Sequence, residues 1–178
     1  MQLNTLGLVH TFLRQHVQGG AFCIDATAGK GRDTALLCRL AGPTGRVLAF
    51  DIQQEAVDQT RALLAREGLT AEVVLDSHAN MEQYARPETV DCVVFNFGRL
   101  PGGDPHIFTR AESSVAAIGA GLRLLRPGGV MAIALYYGGE SRPCPSSSGK
   151  SRKQSQSSEK TASSRETVSR SRAGSRPP

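Results

Sequence analysis

Two hydrophobic rhythms alternate along residues 1–140. Leu6, Val9, Phe12, Leu13 and Val17 recur at helical spacing, so residues 3–17 are expected to form a helix. "AFCID" (21–25) is apolar up to its last residue, as a strand covered on both faces should be. "DTALLCRLAG" (33–42) reads as a helix stopped by Gly42 and Pro43, and "RVLAFD" (46–51) as a second strand. Residues 53–67 place Val57, Thr60, Leu63 and Leu64 on one helical face, and Gly68 ends that helix. A third strand, "AEVVLD" (71–76), leads into a short helix or loop, "SHANMEQYAR". A fourth strand, "VDCVVFNFG" (90–98), follows. Val115, Ile118, Leu122 and Leu125 step by three and four along a further helix, and "RPGG" turns the chain into a fifth strand, "VMAIALYY" (130–137).

Strands alternating with helices predict an α/β domain with a doubly wound, mostly parallel sheet. Such sheets bind ligands beyond the carboxyl ends of their strands, where the strand order reverses. The informative residues are then Asp25 to Gly31, Asp51, Asp76 to His78, and Asn96 to Asp104. Polar residues recur in all four places.

Charge divides the chain. Residues 141–178 hold nine of the 21 lysines and arginines but only two of the 16 acids, so residues 1–140 are slightly acidic and the tail is basic. That tail has 13 serines and one large aliphatic residue, Val168. It cannot bury enough apolar surface to offset its ordering entropy, so disorder is expected there. The expected organisation is a folded domain over 1–140 and a Ser/Arg/Pro-rich basic tail over 141–178. No apolar window reaches the roughly 18 residues of a membrane span, and the N-terminus lacks the pattern of a signal peptide. Four cysteines without C-x-x-C spacing suggest reduced, buried thiols, a cytoplasmic setting and no metal site.

The loop "DATAGKGRDT" (25–34) carries the candidate chemistry. It lacks the Gly-Lys-Ser/Thr of a P-loop. A dinucleotide fingerprint matches Gly29 and Gly31, but Thr34 stands where Gly or Ala is wanted. Asp51 suits a ribose hydroxyl whether the ligand is a nicotinamide dinucleotide or an adenosyl sulfonium. S-adenosylmethionine asks for an acid near its ammonium, N–H groups at a helix start for its carboxylate, and acceptors for its ribose and adenine. Asp25, the glycine loop, Asp51 and Asp76 offer these in order. Plainer roles stand beside each: the glycines shape a turn, Asp51 caps the next helix, Asp76 turns with Ser77, and His78 is an ordinary surface histidine.

The segments "DATAGKGRDT", "AFDIQ", "DSH", "FNFGRLPGGD" and "ALYYGG" occur in this order. Together they resemble bacterial class I methyltransferases that methylate aminomethyl-uridine at the wobble position of tRNA, a family often labelled rRNA methylases. The resemblance runs from the first helix to about Gly139. It implies a Rossmann-like methyltransferase fold, here truncated after the fifth strand, and S-adenosylmethionine as methyl donor. By position it implies Asp25, Ala28, Gly29 and Gly31 at the methionine end and Asp51 and Gln53 at the ribose. Asp76, Ser77 and His78 fall on the adenine side. Asn96 and the Leu100–Asp104 turn border the acceptor amine. Lys30 departs from the family, where Asn is common; it either sits in solvent or weakens cofactor binding.

Alignment of amine, methyl carbon and sulfur carries most of such a reaction. Asn96 is expected to orient the amine, and Asp104, His78 or His106 to take its proton. Aromatic residues for base stacking are few: Tyr84, Phe97, Tyr136 and Tyr137. tRNA as partner therefore rests on the resemblance, and a homodimer is a further option. A small-molecule methyltransferase, a nicotinamide-dependent oxidoreductase and a non-catalytic adenosyl-binding remnant are the competing functions.

Overall fold

In the computed structural model, residues 5–97 and 111–135 are described. The Leu100–Asp104 turn, Asp104, His106, Tyr136, Tyr137 and the tail all lie outside them. Five strands form one parallel sheet: β1 (Phe22–Asp25), β2 (Arg46–Asp51), β3 (Glu72–Leu75), β4 (Val90–Phe97) and β5 (Leu125–Leu135), in the order β3-β2-β1-β4-β5. β1 pairs with β2 on one side and β4 on the other, so the chain runs outward from β1 to β3 and then jumps back across it. The gap beyond the carboxyl ends of β1 and β4 is therefore the switch point of the sheet.

Helices cover both faces. On one side α1 (Thr5–His16), α2 (Arg32–Ala41) and α3 (Gln54–Glu67) bury Val9, Leu13, Leu37, Val57 and Leu64 against Cys23, Val47, Ala49, Val94 and Ala132. On the other, a 3-10 helix (His78–Gln83) and α4 (Ala111–Leu124) pack Met81, Ala117, Ala120 and Leu124 against Ile24, Leu48, Phe50, Val93 and Phe95. Alternation along β1, β2 and β4 feeds both layers, which is why these strands read as continuously apolar. Leu13 and Leu37 are fully buried; truncating such a residue to alanine costs about 2–5 kcal/mol. α3 closes at Gly68, whose left-handed backbone (φ 64°) lets its N–H reach back to the carbonyls of Leu64 and Ala65.

Two expectations need correction. Of the apolar stripe Val115, Ile118, Leu122 and Leu125, Ile118 and Leu125 pack against the core, but Val115 and Leu122 are 70% and 60% exposed. The helix buries Ala117, Ala120, Gly121 and Leu124 instead. A Cβ on Gly121 would come within 2.8 Å of Met131 Cε, the movable end of a flexible side chain, so α4 lies close over β5 at this point. The period was legible, but the phase is set by small residues that hydrophobicity alone does not reveal. Secondly, Leu125 belongs to β5. It pairs with Val90, and the ladder resumes at Cys92 with Val130, so "RPGG" is an irregularity within the strand. Gly128 takes the positive φ (79°) this requires.

Candidate active site at the switch point of the sheet

Four strand ends are stitched into one rim. Asn96 N donates to Thr27 Oγ1 (2.7 Å), Gly29 N to Asp51 Oδ2 (2.9 Å) and Asp76 N to the Asp51 carbonyl (3.1 Å). His78 Nδ1 lies 3.1 Å from the Ala26 carbonyl. The residues after β1, β2 and β3 and the end of β4 thus meet, as the topology requires.

The β1–α2 loop is largely closed on itself. Thr27 N donates to Asp25 Oδ1 (3.1 Å), Ala28 N to the Phe50 carbonyl (2.8 Å) and Gly31 N to the Ala28 carbonyl (2.8 Å). Gly31 precedes α2 with φ 76° and no side-chain cap, leaving the first N–H groups of that helix without an intrahelical acceptor. A Cβ on Gly31 would stand 2.9 Å from Thr60 Cα. The close approach that demands glycine here is therefore to α3. Ala28 is buried, Gly29 carries φ 53°, and Lys30 is exposed to solvent.

Carboxylates dominate the rim. Asp25 is fully buried, and its second oxygen accepts from Thr34 Oγ1 (2.6 Å). Burial first, and then the nearby charge of Asp33, push its carboxyl up to about 7. Thr34, the residue that breaks the dinucleotide fingerprint, is thus the partner of Asp25. Asp51, half-buried, holds Gly29 N on one oxygen and Gln53 N (3.0 Å) on the other. Beside it Ile52 is 57% exposed, an apolar surface at the mouth. Asp76 accepts from Asn80 Nδ2 (2.8 Å), Tyr84 OH (2.8 Å) and Ser77 N (2.6 Å), and the first two hold its carboxyl below the ordinary range. The Ser77 side chain accepts from Ala79 N and caps the 3-10 helix.

Asn96 and His78 lie on opposite faces of β4. The Asn96 carboxamide donates to Asp33 Oδ2, while Asp33 Oδ1 faces His10 Nε2 at 2.6 Å. His78 packs edge-on against Phe95 and Phe97, and burial lowers its basicity. Nδ1 faces a carbonyl, so it carries the proton and Nε2 is the free lone pair. Two buried polar atoms have no partner among the described residues, His78 Nε2 and Asn96 Oδ1. An unpaired buried group costs about 1–3 kcal/mol, which a ligand's N–H would recover.

Sequence reasoning missed His10, Thr27, Asp33 and Thr34. The last three sit in the motif it singled out, and their polarity inside a buried loop was the available signal. His10 had none, because α1 reaches the site only through the fold. Phe97 is buried, whereas Tyr84 is half-buried, its hydroxyl on Asp76 and its ring edge-on to Phe50. No group of three His, Cys, Asp or Glu side chains among the described residues is placed to hold a metal ion. No described helix is long and apolar enough to cross a membrane.

This strand order, with polar strand ends gathered at the switch point, defines a Rossmann-like fold of the class I methyltransferase type. A family model described as "Putative rRNA methylase" matches residues 47–143, more than half of the chain, and the chain belongs to that family. It is 34% identical over 143 residues to the chloroplastic tRNA (mnm(5)s(2)U34)-methyltransferase of Arabidopsis thaliana, covering 74% of this chain and 52% of that protein. The chain therefore spans about half the length of this curated relative. Among solved structures, a "putative rRNA-methylase" from Clostridium thermocellum superposes with TM-score 0.75 at 38% identity, covering 79% of this chain and 76% of the other. A "putative methyltransferase" from Streptococcus mutans in complex with SAH gives TM-score 0.70 at 34% identity, covering 78% and 76%.

Proposed function

We propose that this chain is an S-adenosylmethionine-dependent N-methyltransferase whose acceptor is the aminomethyl group of a modified wobble uridine in tRNA, acting in the cytoplasm. One observation carries the choice of cofactor. Thr27, Ala28, Gly29 and Gly31 spend their N–H groups inside the protein, while Asp25, Asp33 and Asp51 lie close together beside the loop. These carboxylates repel a pyrophosphate, whereas a ligand bearing an ammonium and a sulfonium is attracted. The oxidoreductase reading loses its support on this ground.

The residues fit the cofactor. Asp25 keeps a spare lone pair on each oxygen for the ammonium, and the start of α2 offers N–H groups to the carboxylate. Asp51 and Gln53 border the ribose, and Ile52 gives the adenine an apolar surface. Asp76, Ser77 and His78 stand at the adenine's polar edge. S-adenosylmethionine supplies a methyl group already activated on a cationic sulfur. The protein's part is to hold a neutral amine in line with it, which the free Oδ1 of Asn96 does by accepting an amine N–H. His78 Nε2 is on the other face of β4, where it serves the cofactor side rather than the amine.

The tRNA substrate is supported by the named relative from Arabidopsis and by the five ordered segments. Nucleosides from tRNA of a strain lacking the gene, examined by mass spectrometry, should accumulate the unmethylated aminomethyl-uridine. Unaltered nucleosides would remove the tRNA assignment. Tight binding of NADH and none of S-adenosylmethionine, by calorimetry, would remove the cofactor assignment.

A further inference from the structure

We infer that Asp33 and His10 are positioning residues that lock the Asn96 carboxamide with its oxygen free toward the methyl acceptor; this rests on the proposed function above. Asp33 is 6% exposed and lies in the first turn of α2, yet it caps nothing there. Its carboxylate bridges three elements, taking the Asn96 Nδ2–H on one oxygen and facing His10 Nε2 of α1 on the other. A carboxylate only accepts, so Asn96 is obliged to turn its NH2 toward Asp33. The choice between the two amide orientations, which shape alone leaves open, is thereby settled.

What remains is an oxygen at the switch point that is buried and without a partner among the described residues. The backbone N of the same residue is pinned by Thr27 Oγ1, so neither main chain nor side chain of Asn96 is free to turn away. His10 holds the second carboxylate oxygen and keeps Asp33 from rotating. The acceptor chemistry follows: the bound group carries an N–H to donate, as an alkylamine does. A carbon nucleophile or a tertiary amine has none and leaves Oδ1 unsatisfied. The negative charge of Asp33 behind the amide strengthens its oxygen as an acceptor and favours a nitrogen that carries an N–H over a neutral carbon.

The probes are SAH and sinefungin, an adenosyl amino acid with a primary amine where the transferable methyl group stands. Both are titrated calorimetrically into the full 178-residue chain. Wild type should prefer sinefungin by about tenfold or more, the size of one charge-assisted hydrogen bond. Asp33→Ala and Asn96→Ala should each bring the ratio close to one with SAH affinity kept. The double variant should lose no more than either single one, because both act through one oxygen. Asp33→Asn, which still offers a carbonyl oxygen to Asn96, should recover part of the preference. Since both Asp33 variants remove the charge, their difference reports orientation alone. His10→Ala, in a part-exposed position, tests the same lock should Asp33→Ala fail to fold, and should also lower the ratio. Equal loss of SAH and sinefungin binding in Asp33→Ala, additive losses in the double variant, or no wild-type preference would overturn the inference. Wild type that binds neither probe overturns the adenosyl reading itself, a distinct result.

Discussion

Protonation of Asp25 should govern cofactor affinity. Its carboxyl is fully buried and pushed up to about 7 from an ordinary 3.8, by burial first and then by the charge of Asp33. The bound ammonium needs the carboxylate form. Free protein below pH 7 must therefore lose a proton on binding, at about tenfold in affinity, or about 1.4 kcal/mol, per pH unit. Between pH 7.5 and pH 5.5 the affinity for S-adenosylmethionine should fall about 25-fold. Calorimetry in buffers of different ionisation enthalpy should record proton release near pH 6. Asp25→Asn should bind weakly and with a flat pH profile. The sign for stability runs the opposite way: the folded state holds this proton more tightly than the unfolded chain. Its contribution is full below about pH 4 and is lost as pH rises through about 7. A pH-independent affinity in wild type, or the same slope in Asp25→Asn, would refute the assignment of Asp25 to the ammonium.

Asp51→Ala should lower S-adenosylmethionine affinity at least about tenfold, since it removes charge-assisted ribose bonds as well as the acceptor of Gly29 N and Gln53 N; unchanged calorimetric affinity would leave Asp51 as a structural clamp only. Gly31→Ala meets both a positive φ and the Thr60 backbone, so urea unfolding should show a loss of more than about 2 kcal/mol. The inward phase of α4 predicts that Ala120→Leu costs about 1–3 kcal/mol while Leu122→Glu stays within about 0.5 kcal/mol in the same assay.

Legibility in the sequence followed the physics of each element. β1, β2 and β4 are buried on both faces, so unbroken apolar runs located them within a residue or two. α3 was read from Val57, Thr60 and Leu64 to its glycine stop because large residues mark its inner face. α4 was misphased because alanines and Gly121 line its inner face, where close packing matters more than hydrophobicity. β5 began early because pairing of Leu125 with Val90 outweighed the turn chemistry of "RPGG". Within the site, the strand-end acids were legible from topology alone. Their partners were not, since hydrogen bonds such as Thr34 to Asp25 and His10 to Asp33 depend on which helices cross the loop, and at what height. The glycine loop was legible as a ligand loop, but the reason for Gly31 was not, because Thr60 lies 29 residues further along the chain.

Methyl transfer to tRNA tests the central claim most directly. Purified 178-residue chain would be incubated with methyl-labelled S-adenosylmethionine and tRNA from cells lacking the gene, followed by nucleoside mass spectrometry. The account predicts label on the aminomethyl nitrogen of the wobble uridine. Transfer should be absent with tRNA from wild-type cells, whose sites are already filled, and strongly reduced in Asn96→Ala. A chain that binds S-adenosylmethionine yet leaves that nucleoside unlabelled would contradict it.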